Sequence, residues 1–227
     1  EAWENLARKL AHEIKNPLTP IQLTIDKLKS KYSEKIAEHE KNDFSKSLLI
    51  IGKQIKQIEN LVNEFSDFAR MPKPILKDNN LVSLIKDNIK LTGELDSEIA
   101  INFKLNKPEV LLNSDSEQLS RVFLNLLKNA IESVQEKKIG NDNFVGKIDV
   151  TLNENEENIN FIIVDNGLGF GILADNIKNI LNPYFTTKKK GTGLGLAIVN
   201  KIINDHNGKI NFIPLEDGAK IEIIFTR

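Results

Sequence analysis

A histidine with polar neighbours lies near the start of the chain, in the stretch LAHEIKNPLTPIQL. Glu13 is adjacent to His12, and Asn16 lies one helical turn further on, on the same face. A neutral imidazole is a nucleophile, and a neighbouring carboxylate can orient it or accept its proton as a new bond forms. His12 and Glu13 are therefore candidates for a nucleophile and its base. The alternative is a solvated histidine on a helix surface.

A second set of polar side chains follows one face of a predicted helix at residues 114–138. Its members are spaced by four, four and three residues: Arg121, Asn125, Asn129 and Glu132. Two amides one turn apart can offer oxygens to Mg²⁺ and NH₂ groups to phosphate, and Glu132 can hold a metal-bound water. A solvated helix face would show the same pattern.

The stretch FIIVDNGLGF places Asp165 at the end of an apolar strand, followed by Gly167 and Gly169. A carboxylate beside glycines that allow close approach can accept a hydrogen bond from an adenine amino group. A plain strand-to-turn junction is the alternative, because Asp, Asn and Gly are common in turns.

Three glycines run directly into a predicted helix in the stretch NPYFTTKKKGTGLGLAIV: Gly191, Gly193 and Gly195. Such a loop presents free N–H groups at a helix N-terminus, which favour phosphate. The spacing is neither a dinucleotide-binding fingerprint nor a P-loop. The lysines at 188–190 can neutralise phosphate charge or simply keep the loop soluble.

The chain around His12 predicts an antiparallel helical hairpin, because two runs carry heptad patterns separated by a polar connection at residues 31–43. The predicted seam is Trp3, Ala7, Leu10, Ile14, Pro17, Ile21, Thr24 and Leu28, then Phe44, Leu48, Ile51, Ile55, Ile58, Val62, Phe65 and Ala69. Further apolar residues widen the stripe: Leu6, Leu18, Ile25, Leu61 and Phe68. A wide stripe predicts a four-helix bundle made from two chains, with His12 facing outward.

The remainder of the chain alternates helices and strands. Two prolines and a polar tail in MPKPILKDNN predict a domain boundary. Helices are predicted at 81–91, 114–138 and 192–208, the second opened by a capping box from Ser114 to Glu117, and strands at 99–105, 146–153 and 158–166 before a final strand hairpin. The predicted fold class is α+β: the helical hairpin at 1–72, then an α/β sandwich at 73–227 with a mixed sheet backed by helices.

Composition excludes several classes of function. The chain has 227 residues, a net charge of −1 and no cysteine. The charge gives no reason to expect nucleic acid or an anionic membrane as a partner, and disulfides and thiolate chemistry are excluded. No apolar run reaches the ~20 residues of a membrane span. Because the sequence opens at Glu1 inside a helical pattern, we expect a fragment of a longer protein.

Together the motifs resemble the catalytic core of bacterial sensor histidine kinases. HEIKNP resembles the phosphoacceptor box, NLLKNAIES the N box, DNGLGF the first glycine box, PYFTT the F box and GTGLGLAIV the second glycine box. Their order is that of the family, and they span essentially the whole chain. The HExxNP form, NAIES and the short lid are most similar to the nitrogen-regulation NtrB/NtrY type.

The resemblance implies catalytic roles in the first domain and ATP binding in the second. His12 would be phosphorylated on a ring nitrogen by the γ-phosphate of ATP, with Glu13 as base or orienter. Asn16 would position a water for the reverse, phosphatase reaction. The nucleotide-contacting residues, of which Asn125 and Asn129 would hold Mg²⁺ and Asp165 would read adenine, would be Asn125, Lys128, Asn129, Glu132, Asp165, Gly167, Gly169, Tyr184, Phe185, Thr187, Lys188, Gly191, Thr192, Gly193, Leu194, Gly195 and Leu196.

The implied partners are a second copy of the chain, through the N-terminal helices, and the receiver domain of a response regulator, whose Asp accepts the phosphoryl group. The implied location is cytoplasmic, as part of a membrane-anchored sensor. Two departures from the family pattern stand out: Glu132 replaces a basic residue after the N box, and FGILADNIKN lacks the usual proline-acid helix start. The alternatives are a catalytically silent nucleotide-binding scaffold and an ATPase of the wider gyrase and mismatch-repair family.

Overall fold

The computed structural model describes residues 2–93, 98–141, 143–170, 181 and 193–227, with side chains from Ala7 onward. The described residues form two compact units: the first comprises residues 2–72 together with 193 and 194, and the second comprises the remaining residues from Lys73 onward. Of the helices described, none is long and apolar enough to cross a membrane.

The first unit is a hairpin of two long helices, α1 (Ala2–Tyr32) and α2 (Lys41–Ala69). Helix α1 continues through Pro17 and Pro20. Since proline has no N–H, the carbonyls of Glu13 and Asn16 lose their helical donors. The Thr24 hydroxyl donates to the Pro20 carbonyl at 2.8 Å. Helix α1 is nevertheless continuous over 31 residues.

The buried row of α1 shares only Ala7 with the predicted seam, whereas the buried residues of α2 named below all belong to it. The residues of α1 that pack toward α2 are Ala7, Ala11, Leu18 and Ile25, and those of α2 include Leu48, Ile55 and Val62. The predicted seam residues Leu10, Ile14, Ile21 and Leu28 stay 37% to 45% exposed. The apolar stripe is wider than one partner helix can cover, so the row that faces α2 is buried and the adjacent row is left on the surface. Trp3 and Leu6 lie outside the side chains described.

The second unit contains three helices and seven strands among its described residues. They are β1 (Lys77–Asn80), α3 (Leu81–Gly93), β2 (Ala100–Leu105), β3 (Leu111–Ser114), α4 (Ser116–Lys138), β4 (Lys147–Glu154), β5 (Asn158–Asp165), α5 (Gly195–Asp205), β6 (Gly208–Pro214) and β7 (Ala219–Thr226). Five strands form a mixed sheet in the order β2-β4-β5-β7-β6, in which only β2 and β4 are parallel.

One face of this sheet is covered by helices. In β5 the alternate residues Ile159, Phe161 and Ile163 are buried, while their neighbours are partly exposed. Helix α4 contributes a fully buried apolar side that includes Phe123, whose ring lies 4.8 Å from that of Phe161. The predicted α+β class, with a helical N-terminal part and a mixed sheet backed by helices, is confirmed.

Two short strands, β1 and β3, were not predicted from the sequence. Strand β1 pairs antiparallel with β3, and the pair runs from Lys77 opposite Ser114 to Asn80 opposite Leu111. The β1 sequence KDNN is rich in residues that are depleted in strands, so propensity argues against it. Tertiary pairing decides the conformation here, and the polar half of the predicted linker belongs to the second unit.

The capping prediction for α4 was wrong by one residue. Ser114 lies in β3, and its hydroxyl donates to the Leu112 carbonyl. The N-cap is Asp115, whose carboxylate accepts hydrogen bonds from the N–H groups of Glu117 and Gln118. Asp and Ser are about equally good N-caps, so spacing to a later Glu could not distinguish them.

Candidate functional site

His12 lies on the exposed side of α1, away from the buried row that faces α2. Glu13 and Asn16 are exposed as well, and the helical spacing places Asn16 on the same face as His12. Arg8 and Lys9 are also exposed within one turn before His12. The imidazole is thus accessible to a reagent in solvent and has a carboxylate and an amide nearby. The other predicted site residues lie between Asn125 and Leu196 in the sequence.

Helix α4 carries the polar face predicted from the sequence. Asn125 and Asn129 are partly buried, while Lys128 and Glu132 are exposed. The Asn125 side chain donates from Nδ2 to the Arg121 carbonyl at 2.9 Å. This hydrogen bond fixes the amide so that Oδ1, the atom that can bind a cation, points away from its own helix backbone.

The N-terminus of α5 meets this oxygen. A methyl group added to Gly195, the first residue of α5, would lie 3.4 Å from Asn125 Oδ1. Gly193 has a φ of +70°, a left-handed conformation that favours glycine and turns the chain into the helix. The N–H groups at the start of α5 therefore lie beside a cation-binding oxygen, an arrangement that suits a metal-bound phosphate. Leu194 is buried and Leu196 is partly buried.

Asp165 ends β5 as a buried carboxylate. Its Oδ1 accepts a hydrogen bond from the Gly167 N–H at 2.9 Å. A Cβ on Gly167 would lie 2.3 Å from Ser133 Oγ and 2.6 Å from the Ser133 backbone. Glycine is therefore required here because the turn touches α4, whether or not nucleotide approaches it. This contact sets Asp165 near the second half of α4.

Two residues that the sequence analysis missed brace the same turn. Gly218, with a φ of +106°, approaches β5 so closely that a Cβ would lie 1.8 Å from the Asp165 carbonyl oxygen. The Lys137 ammonium donates to the Asn166 and Gly167 carbonyls at 2.8 and 3.1 Å. It also pairs with Asp217. The only sequence signal was the Asp-Gly turn before β7, and nothing in the sequence singled out Lys137.

Part of the predicted site lies outside the described residues. This applies to the lid and the loop before α5, which supply Tyr184, Phe185, Thr187, Lys188, Gly191 and Thr192. Gly169 is described: its φ is +69°, and a Cβ would lie 2.6 Å from the Gly218 carbonyl oxygen. The structure thus brings Asn125, Gly195 and Asp165 together around α4.

Two domain families match the chain in the order of its two units. Residues 2–74 match the His Kinase A (phospho-acceptor) domain, and residues 114–226 match the histidine kinase-, DNA gyrase B- and HSP90-like ATPase domain. The histidine kinase ThkA, in a crystal structure with the response regulator TrrA, superposes with a TM-score of 0.67 at 23% identity, covering 98% of this chain and 61% of that one. At this identity the likeness shows the fold alone.

Curated relatives match almost the whole chain. An NtrY-like sensor histidine kinase of Rickettsia prowazekii is 39% identical over 99% of this chain and 36% of its own length. The nitrogen regulation protein NtrY of Azorhizobium caulinodans is 37% identical over 98% of this chain and 28% of its own length. The chain thus spans about a third of the relatives it matches. Both domains and the whole-chain identity place it in one family: the chain belongs to the sensor histidine kinases, as the phosphoacceptor and ATPase core of an NtrY-like member.

Proposed function

We propose that this core uses ATP to phosphorylate His12 and passes the phosphoryl group to an Asp of a response-regulator receiver domain. The proposed use of ATP rests on one observation: Asn125 Oδ1 lies beside Gly195, at the N-terminus of α5. The Asp165 turn touches α4 at Ser133, eight residues further along the same helix. Eight residues of helix correspond to about 12 Å, so base and phosphates would bind at separate ends of one helix face.

Different residues of the second unit would bind the base and the metal-bound phosphates of the nucleotide. Asp165 would accept a hydrogen bond from the adenine amino group, which selects adenine over guanine because guanine offers a carbonyl at the equivalent position. Asn125 and Asn129 would hold Mg²⁺ through amide oxygens. No cluster of His, Cys, Asp or Glu that could hold a metal by itself occurs among the described residues, so phosphate oxygens and water would complete the shell. Bound Mg²⁺ supplies charge neutralisation for phosphoryl transfer.

At His12, a ring nitrogen would attack the γ-phosphorus in line with the bond to the β-phosphate oxygen. The N–P bond forms as the P–O bond breaks, and the leaving electron pair goes to ADP. Glu13 would orient the imidazole and accept its proton. Asn16, on the same face, would position water for hydrolysis of the regulator's phospho-aspartate. Transfer of this kind depends on placement more than on covalent chemistry by the protein.

Two partners follow from the hairpin. The row of exposed apolar residues on α1, Leu10, Ile14, Ile21 and Leu28, would be covered by a second copy in a four-helix bundle. The receiver domain would approach the His12 face, which is not part of that row. We propose a cytoplasmic location for the core, as part of a longer membrane-anchored sensor.

Incubation with γ-labelled ATP and Mg²⁺ tests the proposal. We expect an acid-labile, base-stable label on the wild-type chain, its loss in His12→Ala and its retention in His39→Ala, which removes an exposed histidine between the helices. Nucleotide binding without label would favour a silent scaffold. Multiple-turnover hydrolysis that persists in His12→Ala would favour a gyrase-like ATPase.

A further inference from the structure

Asp115 joins three parts of the second unit. Its Oδ1 caps α4 by accepting from the N–H groups of Glu117 and Gln118, both at 3.1 Å. Its Oδ2 accepts from the N–H of Ile75 at 2.9 Å, 40 residues earlier in the chain. Its own N–H donates to Nε2 of His206 at 2.9 Å. One residue therefore holds the start of α4, the entry of the chain into the unit and the end of α5.

His206 is suited to this contact because its tautomer is fixed. His206 is 8% exposed, and its Nδ1 lies 2.8 Å from the Ile202 carbonyl oxygen, one turn back. A carbonyl can only accept, so Nδ1 carries the proton and Nε2 is free to accept from Asp115. Helix α5 has 11 residues and spans about 16 Å. His206, just after its C-terminal end, accepts from Asp115, and a Cβ on Gly195 at its first residue would lie 3.4 Å from Asn125 Oδ1.

The Asp115 carboxylate is a strong acceptor. Burial by itself would raise its pKa, but the hydrogen bonds from the N–H groups of Ile75, Gln118 and Glu117 outweigh this effect and lower the pKa below the ordinary value of 3.8. The group is therefore ionised at neutral pH. Hydrogen bonds to an ionised acceptor are about twice as strong as those between neutral groups.

We call the hydrogen bond between Asp115 and Ile75 the first anchor of the connection between the units. A second anchor lies at the end of the hairpin. The Arg70 guanidinium donates to the Ser66 carbonyl at 3.3 Å and to the Ser66 hydroxyl at 2.8 Å, and Ser66 is buried in α2. Between this anchor and Ile75 the chain has the sequence Met-Pro-Lys-Pro. Each proline fixes its own φ and restricts the residue before it. The connection between the two anchors is thus short and locally stiff.

We infer that Asp115 is a positioning residue for autophosphorylation, because it clamps Ile75 and thereby fixes the length of the connection between the hairpin and the ATP-binding unit. The inference rests on the proposed kinase function. Without this hydrogen bond the free connection grows from residues 71–74 to residues 71–76, because β1 begins at Lys77. The effective concentration of the nucleotide at His12 then falls about twofold, following the −3/2 power of length. The nucleotide-binding residues keep their contacts, so ATP affinity is unchanged.

Three variants of the 227-residue chain separate the clamp from other roles of these residues. Ile75→Pro removes the N–H donor, while Ile75→Ala keeps it and removes only a side chain that is 71% exposed. Asp115→Asn keeps a good N-cap. The group facing the Ile75 N–H becomes either the amide NH₂, which cannot accept a hydrogen bond, or the uncharged amide oxygen, which accepts more weakly than a carboxylate. We expect the Ile75 amide of Asp115→Asn to exchange its hydrogen about tenfold faster, since hydrogen bonds to charged groups contribute at least that factor.

The decisive measurement is the single-turnover rate of His12 phosphorylation at saturating ATP. The ATP dissociation constant of each variant is measured separately in a His12→Ala background, in which no phosphoryl transfer to His12 occurs. We expect the rate to fall about twofold in Ile75→Pro and Asp115→Asn and to be unchanged in Ile75→Ala, with ATP affinity unchanged in all three. An unchanged or higher rate, or a loss of ATP affinity as large as the loss of rate, overturns the inference. Absence of label in the wild type contradicts the proposed function instead, and amide exchange then still tests the clamp.

Discussion

The two units bury their apolar residues in opposite ways. In the second unit three phenylalanines are almost completely buried within one chain: Phe123, Phe161 and Phe225. In the hairpin the buried row is made of smaller residues, and a parallel row of leucine and isoleucine remains on the surface of α1. The second unit therefore has a core of its own, whereas two long helices alone cover only part of their apolar stripe.

The stability of the two units has different sources. Burial of about 25 cal/mol for each Å² of apolar surface stabilises the second unit without a partner. The hairpin gains the corresponding free energy only when another surface covers its exposed row. We therefore expect the unfolding temperature of the hairpin to rise with protein concentration and that of the second unit to be independent of it.

The largest effect is expected in the core of the second unit. Phe161→Ala removes a fully buried ring that packs on Phe123, so the free energy of unfolding of this unit should fall by about 3–5 kcal/mol. Calorimetry would show this transition shifted or lost, together with nucleotide binding, while the helical transition remains. Val145→Ala, at an exposed position, is the control and should be neutral. Loss of both transitions together would contradict the independence of the two cores.

A smaller effect is expected at the exposed row of the hairpin. Ile21→Asp places a charge in the row that we propose a second copy covers, and should cost the associated hairpin about 2–3 kcal/mol. Sedimentation should show a shift toward monomer, and the second unit should still bind nucleotide. Leu23→Asp is the matched control, because Leu23 is 64% exposed on the His12 side of α1. If both variants dissociate equally, the covered surface is not this row.

The smallest effect on stability is expected from replacing one glycine in each unit by alanine, because the two glycines have different surroundings. Gly52 lies inside α2 with no atom within 4 Å of an added Cβ, so Gly52→Ala should stabilise the hairpin by about 0.5–1 kcal/mol. Gly167→Ala in the second unit should have the opposite sign, because its Cβ would collide with the backbone of α4. Thermal unfolding of each variant measures both changes. A destabilised Gly52→Ala would show that α2 has a close neighbour at this position.

Much of the fold could be predicted because it depends on periodic patterns. Heptad spacing gave both long helices, alternation gave the strands of the main sheet, and Asn207 before Gly208 marked the end of α5, where Asn207 has a φ of +57°. Errors arose where several solutions were locally equivalent. Ser114 and Asp115 are both good caps, and the polar segment of β1 becomes a strand only because β3 pairs with it.

The candidate site was likewise predicted only in part. The residue types that bind a cation, phosphate or base stand at recognisable spacings, so Asn125, Asp165 and Gly195 could be named in advance. Their supports could not, because Lys137 and Gly218 reach the Asp165 turn from distant parts of the chain. His206 likewise had no informative neighbours in sequence, and its partner Asp115 lies 91 residues away.

The sequence was sufficient to identify the kinase core, because side-chain chemistry at fixed spacing and apolar periodicity are properties of the chain. It was also sufficient to place His12 on the side of α1 that faces away from the hairpin core, because a helix repeats every 3.6 residues. Tertiary packing was needed to establish which apolar row of α1 is buried, which residue caps α4 and where the connection between the units is anchored. These depend on contacts between residues far apart in sequence, and the balance of such contacts has no local pattern that spacing can reveal.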